Sequence, residues 1–154
     1  MKKEDLDQHF IDSVKKAVDI TMENIKKLND FAFDSMEIGM PKGARSTIFH
    51  DGILQQLKKF DKFDKAKDNI SDFSYEGERW ELKTNRTKQG ISVNKVNLLE
   101  KVKILMVNAL PEDKQLFQIR VLDSRDRYFN PAKEGTQIRS LNKEGQEKAI
   151  VIHS

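Results

Sequence analysis

From Leu6 to Ala32 the apolar residues fall at steps of three and four: Leu6, Phe10, Val14, Ala17, Val18, Met22, Ile25, Leu28, Phe31 and Ala32. No glycine or proline intervenes before Gly39, so the spacing predicts one long amphipathic helix, or two joined ones, over about residues 5–36. A stripe of that length exceeds what a small core is expected to cover. Packing against a second copy of the chain is the first expectation and docking within one chain the alternative. The segment Gly39-Met-Pro-Lys-Gly-Ala-Arg-Ser-Thr then reads as a loop ending in an N-cap at Ser46. A second helix follows to about Phe60, with Phe49, Ile53, Leu57 and Phe60 on one side, and the charged run Lys58 to Lys67 closes it as a loop.

The period then changes. Phe73 and Tyr75 alternate with polar neighbours and lead through Glu76-Gly77 into Arg79-Trp-Glu-Leu-Lys-Thr, which also alternates, so a hairpin with a strand over 79–85 is predicted. Residues Ile91 to Asn94 read as a third strand, and Leu98, Leu99, Val102, Leu105, Met106 and Ala109 match helical spacing up to Pro111. Gln115 to Leu122 reads as a buried strand, and Ile138-Arg-Ser-Leu and Ala149-Ile-Val-Ile are strand-like. The order predicts an α/β fold, a mixed central sheet flanked by helices, as a single domain over 1–154.

Composition narrows this little. The chain has 154 residues, room for one core, and no cysteine, which excludes disulfides and thiolate zinc sites and fits a reducing cytoplasm. No apolar run reaches the length of a membrane span, and Met-Lys-Lys-Glu-Asp at the N-terminus lacks a signal-peptide apolar stretch. The net charge of +3 is unevenly spread. Residues 1–40 hold nine acids against six lysines, whereas Arg86, Lys88, Lys95, Lys101 and Lys103 face a single acid, Glu100, between Thr84 and Leu110. A basic stretch there suits a phosphodiester substrate, although a solvated lysine-rich face is the plainer explanation.

The candidate chemistry sits on the strand just before it. Side chains on a strand alternate between faces, so Glu81 and Lys83 share one face while Trp80 and Leu82 share the other. Magnesium takes hard oxygen ligands, one or two carboxylates with substrate phosphate and waters. Glu81 supplies one carboxylate, the Leu82 carbonyl lies on the same strand, and Asp72 arrives from the preceding strand, with Asp68 as its rival. Lys83 is then placed to orient the attacking water and offset transition-state charge. The competing explanation is a surface ion pair contributing ~0–1 kcal/mol. An equivalent triplet, Glu112-Asp113-Lys114, follows Pro111 in a turn, so strand context rather than spacing marks out Glu81 and Lys83.

The string Asp72…Glu81-Leu-Lys83 resembles the signature of the PD-(D/E)xK nuclease superfamily. With Gln89-Gly-Ile-Ser-Val-Asn-Lys-Val-Asn following, residues 68–122 resemble the small PvuII-like Type II restriction endonucleases. The mismatch-repair nuclease relatives share an Asp…Glu-Leu-Lys-Thr string. The resemblance implies a restriction-endonuclease-like fold, with a dimerisation region at about 5–36 and a catalytic core at about 46–154. It implies Asp72, Glu81 and Lys83 as the catalytic set, with Mg²⁺ held by Asp72, Glu81, the Leu82 carbonyl and Asp68 as an auxiliary acid. Ser92, Asn94 and Lys95 fall where that group contacts bases or phosphates, and Arg86 and Lys88 add to the basic stretch. The group's base-reading histidines are replaced by Val93-Asn94-Lys95, which puts the target sequence in doubt and leaves the reaction intact. The implied partners are double-stranded DNA and a second copy of the chain, with a cognate methyltransferase in the same system but no direct contact to it.

Other chemistries are weaker. His9, His50 and His153 show no metal-ligand spacing, and each reads as a surface or packing histidine. The Gly39–Gly43 loop lacks the lysine of a P-loop, while the amides of Gly43 to Thr47 beside Arg45 offer a phosphate contact. Trp80 reads as core. The leading expectation is a Mg²⁺-dependent homodimeric restriction endonuclease. A structure-specific or repair nuclease is the alternative within the fold, and a non-catalytic nucleic-acid-binding or toxin-neutralising protein the alternative outside it.

Overall fold

The computed structural model describes residues 1–154. Helix α1 (Gln8–Leu28) is capped by Asp7, whose carboxylate accepts the His9 N–H at 3.1 Å and the Tyr75 hydroxyl. It runs on into a π-helical turn, Asn29–Asp34. Helix α2 (Lys42–Leu57) starts directly behind Pro41, whose carbonyl accepts the Arg45 N–H at 2.9 Å, so Ser46 lies inside the helix rather than capping it. Proline's fixed φ, here −58°, sets the entry without a side-chain cap. The two helices cross closely at Gly52, where an added Cβ would lie 2.7 Å from the Thr21 methyl.

The strands are β1 (Phe63–Lys65), β2 (Phe73–Tyr75), β3 (Glu78–Asn85), β4 (Ser92–Asn94), β5 (Lys103–Leu110), β6 (Gln115–Leu122), β7 (Ile138–Ser140) and β8 (Ile150–His153). Short helices α3 (Lys95–Leu99) and α4 (Lys143–Lys148) complete the chain. Six strands form one mixed sheet in the order β1-β2-β3-β5-β6-β8, and β4 pairs with β7 in a small second sheet. Only β3 and β5 run parallel within the large sheet. The β2–β3 hairpin turns at Glu76 (φ 49°) and Gly77 (φ 84°), the pair of positive φ values that a tight two-residue turn between twisted strands needs. The α/β fold with a mixed sheet and flanking helices is therefore as expected. No helix is long and apolar enough to cross a membrane.

Two further local expectations are overturned, and for a third the stated alternative holds. The helix expected over 98–109 is instead α3 followed by strand β5. Leu105, Val107 and Ala109 pack on the α1–α2 side while Ile104 and Met106 join a second cluster with Val93, Tyr128 and Phe129 on the opposite face. A strand buried on both faces has no polar side to betray its period, and its apolar run mimics a helix. The charged run after α2 contains strand β1, anchored by Phe63, which stacks near Phe10 and Tyr75. Finally, the α1 stripe is core. Val14 and Val18 are fully buried and Met22 nearly so, packed with Ile53, Leu57 and the sheet residues Trp80 and Leu82. The stripe docks within the chain, on the sheet and α2, which was the alternative to packing against a second copy. What stays exposed in this region is its far end, Leu28, Phe31 and Met36.

Candidate active site

The hairpin brings Asp72, Glu81 and Lys83 together. The Asp72 N–H reaches the Trp80 carbonyl at 2.8 Å, extending the β2–β3 ladder by one residue, and its Oδ2 accepts the Leu82 N–H at 2.8 Å. Its carboxylate is thereby fixed beside β3, close enough to hydrogen-bond the Glu81 carboxyl when one of the pair is protonated. Lys83 Nζ stands 3.5 Å from Glu81 Oε1 on the same strand face. The expected surface pair is thus a half-buried cluster: the side chains of Glu81 and Lys83 retain 13% and 27% of their exposure.

Two residues dismissed or overlooked in the sequence complete the surroundings. His50, on α2, places Nε2 at 3.3 Å from Asp72 Oδ2 and 3.1 Å from the Leu82 carbonyl oxygen, with Nδ1 3.1 Å from Asp51. A lone histidine in a helix carries no sequence signal for this; only the packing of α2 on β3 reveals it. Asn97, buried at α3, donates Nδ2 to the Ile70 carbonyl (2.9 Å) and to Glu81 Oε2 (3.3 Å). The side-chain amide therefore ties Glu81 to the loop that delivers Asp72.

The electrostatics follow from this crowding. Burial and the neighbouring Asp72 charge push the Glu81 carboxyl up to about 7, with Lys83 pulling the other way. Burial also raises Asp72, but the hydrogen bonds from His50 and the Leu82 N–H outweigh it and hold its carboxyl below the ordinary value. His50 rises to about 9 through its hydrogen bond to Asp72, against the opposing effect of burial, with Asp51 adding to it. Two adjacent carboxylates do not both ionise freely, so either a proton or a cation could sit between them. The residues that could hold a magnesium ion are Asp72, through its second oxygen, and Glu81; Asp72 Oδ2 and the Leu82 carbonyl already face His50, which would have to yield for the carbonyl to join them. No cluster of three or more His, Cys, Asp or Glu side chains in a metal-holding arrangement is present, so a bound ion would draw its remaining ligands from water and substrate.

Asp68 is engaged elsewhere. Its Oδ1 accepts the Ile70 and Ser71 N–H groups at 3.0 and 2.9 Å and the Ser71 hydroxyl at 2.8 Å, and its Oδ2 pairs with Arg79 at 3.1 Å. These bonds hold its carboxyl well below the usual range, those from Ser71 most strongly. Asp68 thus shapes the loop before Asp72 and has its oxygens occupied. Asp72→Ala should accordingly shift the Mg²⁺ concentration needed for half-maximal cleavage far more than Asp68→Ala. A larger shift for Asp68→Ala in the same titration would reverse the assignment.

The remaining expected contacts are dispersed. Ser92 and Asn94 point outward from β4, but the Asn94 side chain accepts the Val96 N–H at 3.1 Å and caps α3, leaving only its NH₂ for a ligand. Lys95 is exposed at the first turn of α3, and Lys88 in the loop behind β3. That loop is pinned from below by buried Asn108, which donates to the carbonyls of Thr87 and Gly90 at 2.9 and 3.0 Å, and by buried Arg120, which donates to the Gln89 carbonyl at 2.9 Å. Arg45 and Arg86 are drawn together on Glu112 instead of standing free. The amides of Arg45 to Thr47 lie within α2, so the open N–H groups at that helix start are those of Lys42 to Ala44.

Protein-family models and curated proteins yield no match to this chain.

Proposed function

We propose that the protein is a Mg²⁺-dependent nuclease that hydrolyses phosphodiester bonds in double-stranded DNA, with a restriction-endonuclease-like core of the PD-(D/E)xK kind. The observation that carries this reading is the juxtaposition of Asp72, Glu81 and the Leu82 carbonyl with Lys83 on one hairpin. When bound there, Mg²⁺ supplies Lewis acidity toward the phosphoryl oxygen and acidifies water. The chain's own residues do the rest. Asp72 is oriented by the Leu82 N–H, and Glu81 is oriented by Asn97. Lys83 holds the attacking water and places a positive charge where the phosphorane gathers negative charge. The water oxygen bonds to phosphorus and releases a proton to solvent, the bond to the leaving sugar oxygen breaks, and that oxygen takes up a proton from a solvent water.

Supercoiled plasmid should be cut with Mg²⁺ and not with Ca²⁺. Discrete bands support the restriction reading, in which two copies act on a palindrome. Because the α1 stripe is core, a monomeric structure-specific or repair nuclease is the second reading, supported by heterogeneous cutting or preference for branched DNA. No cutting under any of these conditions would leave a nucleic-acid-binding protein.

The protonation pattern gives a test that needs no substrate. Glu81 at about 7 and His50 at about 9 both lie above their ordinary values of 4.5 and 6.5. The folded protein holds protons that the unfolded chain releases, so the stability they contribute is full at low pH. It is lost as pH rises through about 7 for Glu81 and about 9 for His50. Asp72 acts oppositely, but only below its ordinary 3.8. The metal-free melting temperature should therefore fall between pH 5 and pH 9. Mg²⁺ should raise it more at pH 8 than at pH 5.5, because the ion competes with the Glu81 proton. Glu81→Gln should remove the lower part of the pH dependence and most of the Mg²⁺ effect. Equal Mg²⁺ stabilisation at both pH values would contradict the assignment.

A further inference from the structure

Beside the cluster just described lies a second cavity, of about 280 Å³, walled by Arg45 and Ser46 of α2, by Thr84 and Asn85 at the end of β3, and by Arg86. It shares Ser46 and Thr84 with the shallow cavity onto which Lys83 and His50 open. Its chemistry is one-sided. The carboxylate in contact with the arginines, Glu112, is buried and has both oxygens taken: Arg45 Nη1 reaches Oε1 at 3.1 Å, and Arg86 binds both oxygens, with Nη1 to Oε2 at 2.9 Å. Two guanidiniums share that single bound carboxylate, while Asp113 acts on Arg86 only through space, so the positive groups outnumber the acids in contact with them. Arg45 Nε is buried without any hydrogen-bond partner. Trp80 Nε1 and Arg120 Nε are buried without partners as well, so the orphaned Arg45 Nε, which has no surface open to the cavity, is a local cost of about 1–3 kcal/mol and no part of the anion seat. The Asn85 carbonyl oxygen is occupied by the Thr87 N–H and hydroxyl at 2.9 and 3.0 Å, so the free end of this amide is its NH₂ donor. The cavity thus combines hydroxyls, an amide NH₂ and a guanidinium with spare donors, and its volume lies at the small end for ligand sites.

We propose that this cavity is a phosphate subsite that seats a phosphate group of the nucleic-acid strand next to the one being cleaved. The proposal rests on the nuclease reading for its substrate and on the cavity alone for its anion. A strand advances ~3.3 Å per residue, so Arg86 lies about 10 Å along β3 from Lys83, within a nucleotide or two of a bound backbone. Holding that phosphate fixes the register of the scissile one over Glu81 and Lys83. The phosphate is either an internal phosphodiester or a terminal phosphomonoester; both offer the same tetrahedral oxyanion.

The first test uses inorganic phosphate, without metal or DNA. Phosphate should raise the wild-type melting temperature saturably, beyond the effect of chloride at equal ionic strength. Arg45→Gln and Ser46→Asp should each weaken phosphate binding about tenfold or more, through loss of a charge-assisted hydrogen bond or through repulsion. Arg86 is avoided because removing it strands Glu112. Ser46→Asp keeps the test sound, since the exposed side chain at this position leaves room for an acid that opposes an anion without burying a charge. A folded Ser46→Asp protein that binds phosphate like wild type overturns the proposal, as does a wild-type protein with no phosphate response. A protein that cuts DNA yet fails here keeps the nuclease reading and loses the subsite. One that binds phosphate through these residues but never cuts keeps the subsite and loses the nuclease. Linear duplexes with 5′-phosphate or 5′-hydroxyl ends then separate the sources. Faster cutting of the phosphorylated ends identifies a terminal group, and equal cutting identifies an internal phosphodiester.

Discussion

Replacing Lys83 with alanine should lower cleavage by about a hundred- to a thousandfold, the loss expected when one preorganised charge on the transition state is removed. The fold should survive. Lys83 makes one ion pair, 3.5 Å to Glu81, and retains 27% of its side-chain exposure, so its contribution to stability is about 1 kcal/mol or less. DNA binding should persist, because the basic residues behind β3 are untouched. Glu81→Ala should be equally impaired, and it should bind DNA at least as well, since it removes a carboxylate from the neighbourhood of a phosphate. The comparison to make is the single-turnover cleavage rate alongside a melting curve for each variant. If both variants cut at the wild-type rate, the cluster on β3 is an ion pair and nothing more.

That cluster was visible in the sequence because β3 alternates. Trp80 and Leu82 go to the core and Glu81 and Lys83 to the other face, so a period of two exposes both the strand and the sharing of a face. The Glu76-Gly77 turn was legible for a similar local reason. Strand β5 was not, because burial of Ile104 and Leu105 on opposite faces erases the alternation. His50 and Asn97 were illegible for a different reason. Each reaches the site across a long sequence separation, and nothing in a helix's own pattern says which of its polar residues will face a carboxylate. The choice of Asp72 over Asp68 likewise depends on hydrogen bonds that only the folded loop reveals. The arginine pair falls between these cases. Arg45 and Arg86 were singled out by charge, but their convergence on Glu112 comes from α2 packing against the far end of β3.

The second large effect concerns the stripe on α1. Val18→Asp should give no folded protein, in place of the soluble monomer expected of an interface residue. Val18 is fully buried within the apolar core cluster, so an introduced carboxylate would be taken out of water there. An unpaired buried charge costs several kcal/mol, against a total stability of about 5–15 kcal/mol for a domain of this kind. Circular dichroism of Val18→Asp decides the point, and a native spectrum would return the stripe to the surface. The dimer question then moves to the end of the helical region. Phe31 is 85% exposed, so Phe31→Glu should fold and melt like wild type. If two copies meet through this end, sedimentation at micromolar concentration should show the wild type as a dimer and Phe31→Glu as a monomer, with double-strand breaks replaced by nicks. A wild-type protein that sediments as a monomer and still breaks both strands has no use for a two-fold axis. It must carry its one site from strand to strand, which is the behaviour of a structure-specific nuclease.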